Sequence, residues 1–348
     1  MKILITHPSF WIYGGAERLI VRLCNHLTER GHQVTILTTT MKDDVKSELI
    51  DARLIFTKDI NEMNNWLDRI KSDFDLVNFH NSPTHLLSKG KRVKNVWFCN
   101  EPPQEYLESG KLLPEDKEVV NNFIKNVIVS DEYDQKRFKE IYGMDSTIVN
   151  YGVDYEFMRA GTPGDFRKKY EVEEDAFVIT QVGFIHPMKN QMRTIEIFKN
   201  IKDKIPKAKL VLAGHQTEYK KQVEEYMFTN NLQADVIFTG IVSHEDIRDI
   251  LTDSNVLIQP CLDQGGTLSV FEALATETPV IVSKEFTANK IISDNKLGYV
   301  ENFEENLVKI YESKEKGNHE WIKDNYTWEI FGDNMIKVYE DIIGSDSE

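Results

Sequence analysis

The chain is predicted to be an α/β protein built from two Rossmann-like, doubly wound domains. Three observations predict this. The order strand, glycine loop, helix, strand opens the chain, the same order starts again at Phe177, and a stretch crowded with Gly152, Gly161, Pro163 and Gly164 lies between the two. At 348 residues the chain is too long for one ordinary core, and such a length divides into about two domains.

The elements follow in order. Residues 2–6 read as a strand that leads through His7 to Gly14-Gly15 and then to a helix with Leu19, Ile20, Leu23 and Leu27 at helical spacing, ended by Gly31. Residues 33–38 are the second strand. Residues 74–80 form a strand ending at His80, and residues 95–99 form one closed by Asn100-Glu101-Pro102-Pro103. In open parallel sheets ligands bind beyond the carboxyl ends of the strands, so His80 and Asn100 are placed where a ligand would lie. Strands at 126–130 and 146–149, with a helix at 131–142 between them, complete the first sheet.

In the second half, residues 177–182 are a strand, followed by Gly183, a polar loop through Lys189 and a helix to about residue 205. Strands at 209–214, 235–239 and 256–260 alternate with helices at 218–230 and 244–252. The turn Gln264-Gly265-Gly266-Thr267 then opens a helix running to Ala275, and 279–282 is the next strand. Its glycines let the backbone approach a ligand closely, and the first amides of the helix lack partners inside it, which favours an anion such as phosphate. Glu272, five residues after Thr267, is placed to reach ligand hydroxyls if the helix end faces a cleft. Taken alone, a Gly-Gly-Thr turn can also be plain turn chemistry. An amphipathic helix from about Tyr326 to Ile343, stopped by Gly344, ends the pattern.

Composition narrows the function. With 41% hydrophobic and 28% charged residues the chain reads as globular, and no apolar run approaches the roughly 20 residues that span a bilayer. The first six residues read as a strand and not as a signal peptide, so the expected location is the cytoplasm, with at most peripheral contact on the inner face of the membrane. Cys24, Cys99 and Cys261 are odd in number and set in apolar contexts, which predicts reduced buried thiols and no metal site. A net charge of -15 argues against general nucleic-acid binding. The basic run Lys89-Gly90-Lys91-Arg92-Val93-Lys94 reads as a solvated loop, or as a contact for headgroups or an acceptor phosphate. Asp73-Phe74-Asp75 reads as solvating a helix end. A full Gly-x-Gly-x-x-Gly is lacking, so no nicotinamide cofactor is indicated.

Several motifs carry a family likeness. Gly14-Gly15-Ala16-Glu17-Arg18, Gly152-Val153-Asp154, Gly183 to Lys189-Asn190, Gly214, Phe238-Thr239-Gly240 with Val242-Ser243-His244-Glu245-Asp246, and Gln264 through Pro279-Val280 together resemble the family-4 retaining glycosyltransferases of GT-B fold. The likeness covers nearly the whole chain in order. Trp97-Phe98-Cys99-Asn100-Glu101-Pro102-Pro103 is similar to a subgroup in which many members use GDP-mannose. The resemblance implies two Rossmann-like domains facing a central cleft. Residues 1–155 would supply most of the acceptor site, 156–325 would bind the nucleotide sugar, and 326–348 would be a helix crossing back to the first domain. It implies transfer of a hexose, from GDP-mannose or a UDP-hexose, to a hydroxyl of a glycan, glycolipid or glycoprotein acceptor. No cofactor and no metal are expected, and retention would follow front-face attack in which the leaving phosphate helps deprotonate the acceptor.

The same resemblance implies roles. Lys189 would stabilise the charge that builds on the departing diphosphate. Phe184 stands where the family has an arginine, with Arg18, His186 and Arg193 as replacements for that charge. Glu272 would accept hydrogen bonds from the ribose, and Gln264 stands where the first glutamate of the Glu-x7-Glu motif meets sugar hydroxyls, as an amide still able to donate and accept. Asp263 could supply that carboxylate only if the loop is shifted by one residue. Gly265, Gly266, Thr267 and Leu268 would offer backbone amides to sugar and diphosphate, while Gly14 and Gly15 would bring the first domain's backbone to the donor phosphates. His80 would contact the transferred sugar. Asn100 occupies a place where relatives often have histidine, and Glu101 is an acceptor-site carboxylate. Phe184, Gln264 and Asn100 keep open a catalytically weak or inactive sugar-nucleotide-binding or scaffold subunit. A sugar-nucleotide epimerase of the same architecture is the other alternative.

Overall fold

The computed structural model describes residues 1–12, 14–100, 110, 112, 114–262 and 267–345. The chain forms two compact units, Met1–Gly152 with Trp328–Glu348, and Val153–Thr327.

The first unit holds strands β1 (Lys2–Thr6), β2 (Gln33–Thr38), β3 (Ala52–Phe56), β4 (Leu76–His80), β5 (Asn95–Phe98), β6 (Val127–Val129) and β7 (Thr147–Ile148), with helices α1 (Gly15–Glu29), α2 (Asp43–Glu48), α3 (Ile60–Ile70), α4 (Pro114–Phe123) and α5 (Glu132–Tyr142). All the strands run parallel in the order β3-β2-β1-β4-β5-β6-β7. Strands with helices on both faces are buried on both, which is why β4 is buried at every position. Between residues 39 and 73, where the sequence pattern marked no element, lie α2, β3 and α3. At the sheet edge β3 has only Ile55 buried, so it lacks the apolar run that marks an interior strand.

The carboxy-terminal helix, Trp328–Gly344, belongs to this unit and packs on α1. Asp333 receives His26 Nε2 at 2.8 Å, and Tyr339 reaches into the sheet, where Asn78 Nδ2 donates to its hydroxyl at 2.7 Å. Gly332 permits the close approach, since a Cβ there would lie 2.3 Å from the His26 ring.

The basic run at 89–94 is not a solvated loop throughout. Lys91 is buried, donates to Asn64 Oδ1 at 2.7 Å and sits 3.4 Å from Asp68, while Lys94 donates to the Ile343 carbonyl. These ammonium groups hold α3 and the carboxy-terminal helix in place, a use that linear spacing does not show. Asp73 closes a 3-10 turn after α3, and Asp75 accepts from the Lys2 amide at 2.7 Å.

The second unit holds β8 (Phe177–Val182), β9 (Ala208–Ala213), β10 (Val236–Gly240), β11 (Val256–Gln259), β12 (Val280–Val282) and β13 (Tyr299–Val300), with α6 (Tyr155–Arg159), α7 (Asp165–Lys169), α8 (Gln191–Ile201), α9 (Lys220–Thr229), α10 (His244–Asp253), α11 (Leu268–Ala275), α12 (Asn289–Asp294), α13 (Phe303–Ser313) and α14 (His319–Asn325). Its sheet is also parallel, in the order β10-β9-β8-β11-β12-β13. Helix α8 ends at Ile201, short of the predicted 205, because Pro206 follows closely and the residue before a proline disfavours helix.

Both sheets have a point where the strand order reverses. In the first it lies between β1 and β4, and in the second between β8 and β11. Beyond the carboxyl ends of such a pair the connecting helices diverge to opposite faces, which leaves a crevice where ligands bind.

Candidate functional site

At the β8/β11 reversal the loop after Gly183 is pinned by polar side chains. Gln181 Nε2 donates to the Lys189 carbonyl at 2.6 Å while its Oε1 accepts from Thr194 Oγ1 at 2.7 Å. Asn190, at the helix start in a left-handed conformation, donates to the Pro260 carbonyl at 3.0 Å, and the Leu262 amide donates to the Met188 carbonyl at 3.0 Å. Gln259 Nε2 joins the Val182 carbonyl at 2.8 Å and Ser269 Oγ at 3.1 Å, tying the two strand ends to the start of α11. These bonds fix the backbone of Lys189 relative to the exit of β11, which Gln259 ties to the start of α11. Its alkyl chain lies 3.8 Å from where a Cβ on Gly183 would stand.

The Lys189 ammonium also acts on Cys261. Burial pushes the Cys261 thiol up to about 11, and the nearby Lys189 charge pulls the other way. Gly214 is required beside this loop, because its φ is +143° and a Cβ would fall 2.3 Å from the Gly183 carbonyl oxygen. Glu272, in the middle of α11, lies 3.3 Å from His244 Nε2 at the start of α10, and the His244 ring stacks on Phe157 at 4.5 Å. Thr267 and Leu268 stand at the opening of α11, both partly buried.

At the β1/β4 reversal the first unit gathers histidines. His7 follows β1, and His80 ends β4 wholly buried and stacked on Phe98 at 4.8 Å; the His7 and His80 ring centroids are 6.0 Å apart. Burial, with the adjacent His7, holds the His80 imidazole well below the usual histidine range. Glu17 accepts from His7 Nε2 at 3.1 Å and from the Gly14 amide at 2.9 Å; burial works against its ionisation, but these hydrogen bonds outweigh it and keep its carboxyl below the ordinary range. Gly15 is exposed, and a Cβ there would touch nothing within 4 Å. Asn100 Nδ2 lies 3.1 Å from His80 Nε2.

The structure thus places Gly183, Lys189, Thr267, Leu268 and Glu272 at one reversal and Gly14, Gly15, His80 and Asn100 at the other. Gln264, Gly265 and Gly266, with Asp263, lie outside the described residues, as does Glu101. Arg193 is not available to replace the arginine expected at Phe184, since its guanidinium pairs with Glu304 of α13 at 3.0 Å and with Glu196 at 3.1 Å. His186 accepts from the Met188 amide and caps the turn that carries Lys189. Phe184 is 62% exposed. Sequence reasoning passed over Gln181, Gln259 and His7. A signal existed for the first two, as each is an amide near the end of a largely apolar strand, in neighbouring strands.

The three cysteines are buried. Among the described residues, no group of three His, Cys, Asp or Glu side chains is placed to hold a metal ion, and no helix is long and apolar enough to cross a membrane.

Comparison with known proteins agrees with this geometry. Residues 13–157 match the family model described as Glycosyltransferase Family 4, and residues 164–328 match Glycosyl transferases group 1. An uncharacterized glycosyltransferase, MJ1059, of Methanocaldococcus jannaschii is 26% identical over 227 residues, which span 62% of this chain and 55% of that protein. The UDP-Gal:alpha-D-GlcNAc-diphosphoundecaprenol alpha-1,3-galactosyltransferase of Escherichia coli is 25% identical over 348 aligned residues, covering 90% of this chain and 89% of that one. Among solved structures, Anabaena Alr3699/HepE in complex with UDP and glucose superposes with a TM-score of 0.78 at 15% identity, covering 98% of this chain and 100% of that one. With one family model on each half and this fold throughout, the chain belongs to the glycosyltransferases of GT-B type.

Proposed function

We propose that the protein is a retaining hexosyltransferase that moves a hexose from a nucleotide sugar to a hydroxyl of a glycan, glycolipid or glycoprotein acceptor without a metal. The observation that carries this reading is the fixed Lys189. Its backbone is held by Gln181 and its neighbours Met188 and Asn190 are bonded to the exit of β11, beside the opening of α11. Breaking the bond between the anomeric carbon and the phosphate oxygen leaves charge on the diphosphate, and a positioned ammonium with helix-terminal amides stabilises that charge. The leaving phosphate oxygen takes the proton of the acceptor hydroxyl as the new glycosidic bond forms on the same face. Glu272 holds the ribose hydroxyls, and Gln264, Gly265, Gly266, Thr267 and Leu268 line the sugar and diphosphate. His80 meets the transferred hexose, Asn100 and Glu101 serve the acceptor side, and Gly14 and Gly15 let backbone approach the donor. An exposed glycine that the protein itself does not require, as at Gly15, is consistent with such an approach.

A UDP-hexose is the preferred donor, supported by the UDP-sugar named for the Escherichia coli relative and the UDP bound in the Anabaena structure, with GDP-mannose as the other candidate. The acceptor is lipid-linked or a glycan, and the enzyme works in the cytoplasm or at the inner membrane face. The test is a thermal-shift screen with UDP-, GDP-, ADP- and dTDP-sugars, followed by transfer assays and NMR of the product anomer. Stabilisation by one nucleotide sugar and a product that keeps the donor's anomeric configuration are expected. Binding without turnover on any acceptor would make the protein a sugar-nucleotide-binding subunit, and donor conversion without acceptor would make it an epimerase.

A further inference from the structure

The side-chain amide of Asn100 meets three groups in the first unit. The Tyr151 hydroxyl donates to its Oδ1 at 2.5 Å, its Nδ2 donates to Asn81 Oδ1 at 2.5 Å, and the same Nδ2 lies 3.1 Å from His80 Nε2. Asn81 is itself held, its amide donating to the Phe98 carbonyl and its carbonyl accepting from Thr84. Asn81 Oδ1 can only accept, so the end of the Asn100 amide that faces Asn81 and His80 is the NH2 group, and the Tyr151 hydroxyl donates to the other end. An NH2 group donates, and His80 Nε2 therefore receives it with a lone pair. His80 is wholly buried and neutral, so its one ring proton sits on Nδ1.

That N–H points to a missing acceptor. His80 Nδ1 is buried with no hydrogen-bond partner among the described residues, and the same holds for His7 Nδ1 and Thr6 Oγ1 at the same strand reversal. Buried polar groups in folded proteins are nearly always paired, so unpaired ones at the ligand end of a sheet mark where a ligand's polar atoms complete the set. We propose that Asn100 is a positioning residue that locks His80 in the Nδ1–H tautomer, so that this buried N–H donates to a sugar hydroxyl at the β1/β4 reversal. The proposal rests on the reading of His80 as a contact for the transferred hexose. It gives the amide at position 100 a use of its own, since a carboxylate in its place could only accept.

The tautomer can be read directly. The full-length protein labelled with ring-15N histidine, free of ligand, is examined by two-bond proton–nitrogen NMR, with the His80 signals assigned by their loss in His80→Gln. The wild type is expected to show a protonated Nδ1 and a bare Nε2. In Asn100→Asp the proton is expected to move to Nε2, and in the milder Tyr151→Phe, which removes the group orienting the amide, both tautomers are expected. In transfer assays Asn100→Asp should lower kcat roughly tenfold or more, the scale for turning a buried hydrogen bond into a mismatch, with little change in the KM for the nucleotide sugar. Tyr151→Phe should give a smaller fall in the same direction. A wild-type His80 with its proton on Nε2 overturns the proposal, and so does a folded variant whose tautomer has moved while kcat has not. If no sugar nucleotide is turned over, the functional reading fails separately. The tautomer measurement then stands by itself, and a wild-type His80 with its proton on Nε2 overturns the proposal in that case too.

Discussion

His244 Nε2 and Glu272 Oε1 meet at 3.3 Å where α10 packs on α11, so the carboxylate assigned to the ribose is steadied by a side chain from another helix. Glu272→Gln is expected to weaken nucleotide-sugar binding about tenfold to a hundredfold, the range for losing hydrogen bonds to a charged acceptor. His244→Ala should weaken it less, since only orientation is lost. Calorimetric titration with the donor checks both, and unchanged affinity in Glu272→Gln would remove this carboxylate from the donor site.

Lys189 and Arg193 make a matched pair of tests on one loop and its helix. Lys189→Ala should lower kcat by roughly a hundredfold or more, as for other deletions of a single charge-stabilising group. Arg193→Ala should leave kcat near wild type, because its guanidinium is engaged with Glu304 and Glu196. Steady-state kinetics on the two purified variants separates a role for this ammonium from a general effect of positive charge.

Gly332 faces the His26 ring where the carboxy-terminal helix crosses α1. A methyl group at 2.3 Å from a ring carbon forces the helices apart, and overpacking of this kind costs about 1–3 kcal/mol. Urea denaturation of Gly332→Ala should show that loss, and an unchanged midpoint would mean that the contact yields without strain.

Two groups, buried His80 and partly buried Glu17, make stability fall on the acid side. His80 is held below its ordinary 6.5 by burial and by His7, so below pH 6.5 the unfolded chain takes a proton that the folded chain refuses. Its contribution is whole above pH 6.5 and fades below it, by up to about 1.4 kcal/mol per pH unit. For Glu17, burial opposes ionisation but the bonds from His7 and Gly14 prevail, and its contribution is present above 4.5 and lost as pH falls through its lowered folded value. Urea midpoints taken from pH 7 to pH 5 should decline, and the decline should flatten in His80→Gln. A level wild-type profile over that range would contradict this account of His80.

The sequence by itself determined two parallel sheets, the link between their two halves, and the standing of His80 at the end of a strand and of Lys189 in the loop that follows another. These are local properties, carried by apolar runs, helical spacing and glycines within a few residues of one another. Edge strand β3 escaped because it has one buried residue to declare itself. Tertiary structure alone decided which strand ends became neighbours, and with them which polar atoms met. Asn100 reaches back to His80 and forward to Tyr151, and Glu272 meets His244, across separations that no periodicity records. Lys91 reads as solvent-facing in the chain and is buried in the fold, because hydrogen-bond partners are chosen by sheet order and helix packing. A polar side chain's fate depends on what the fold brings to it, whereas an apolar pattern carries its instruction with it.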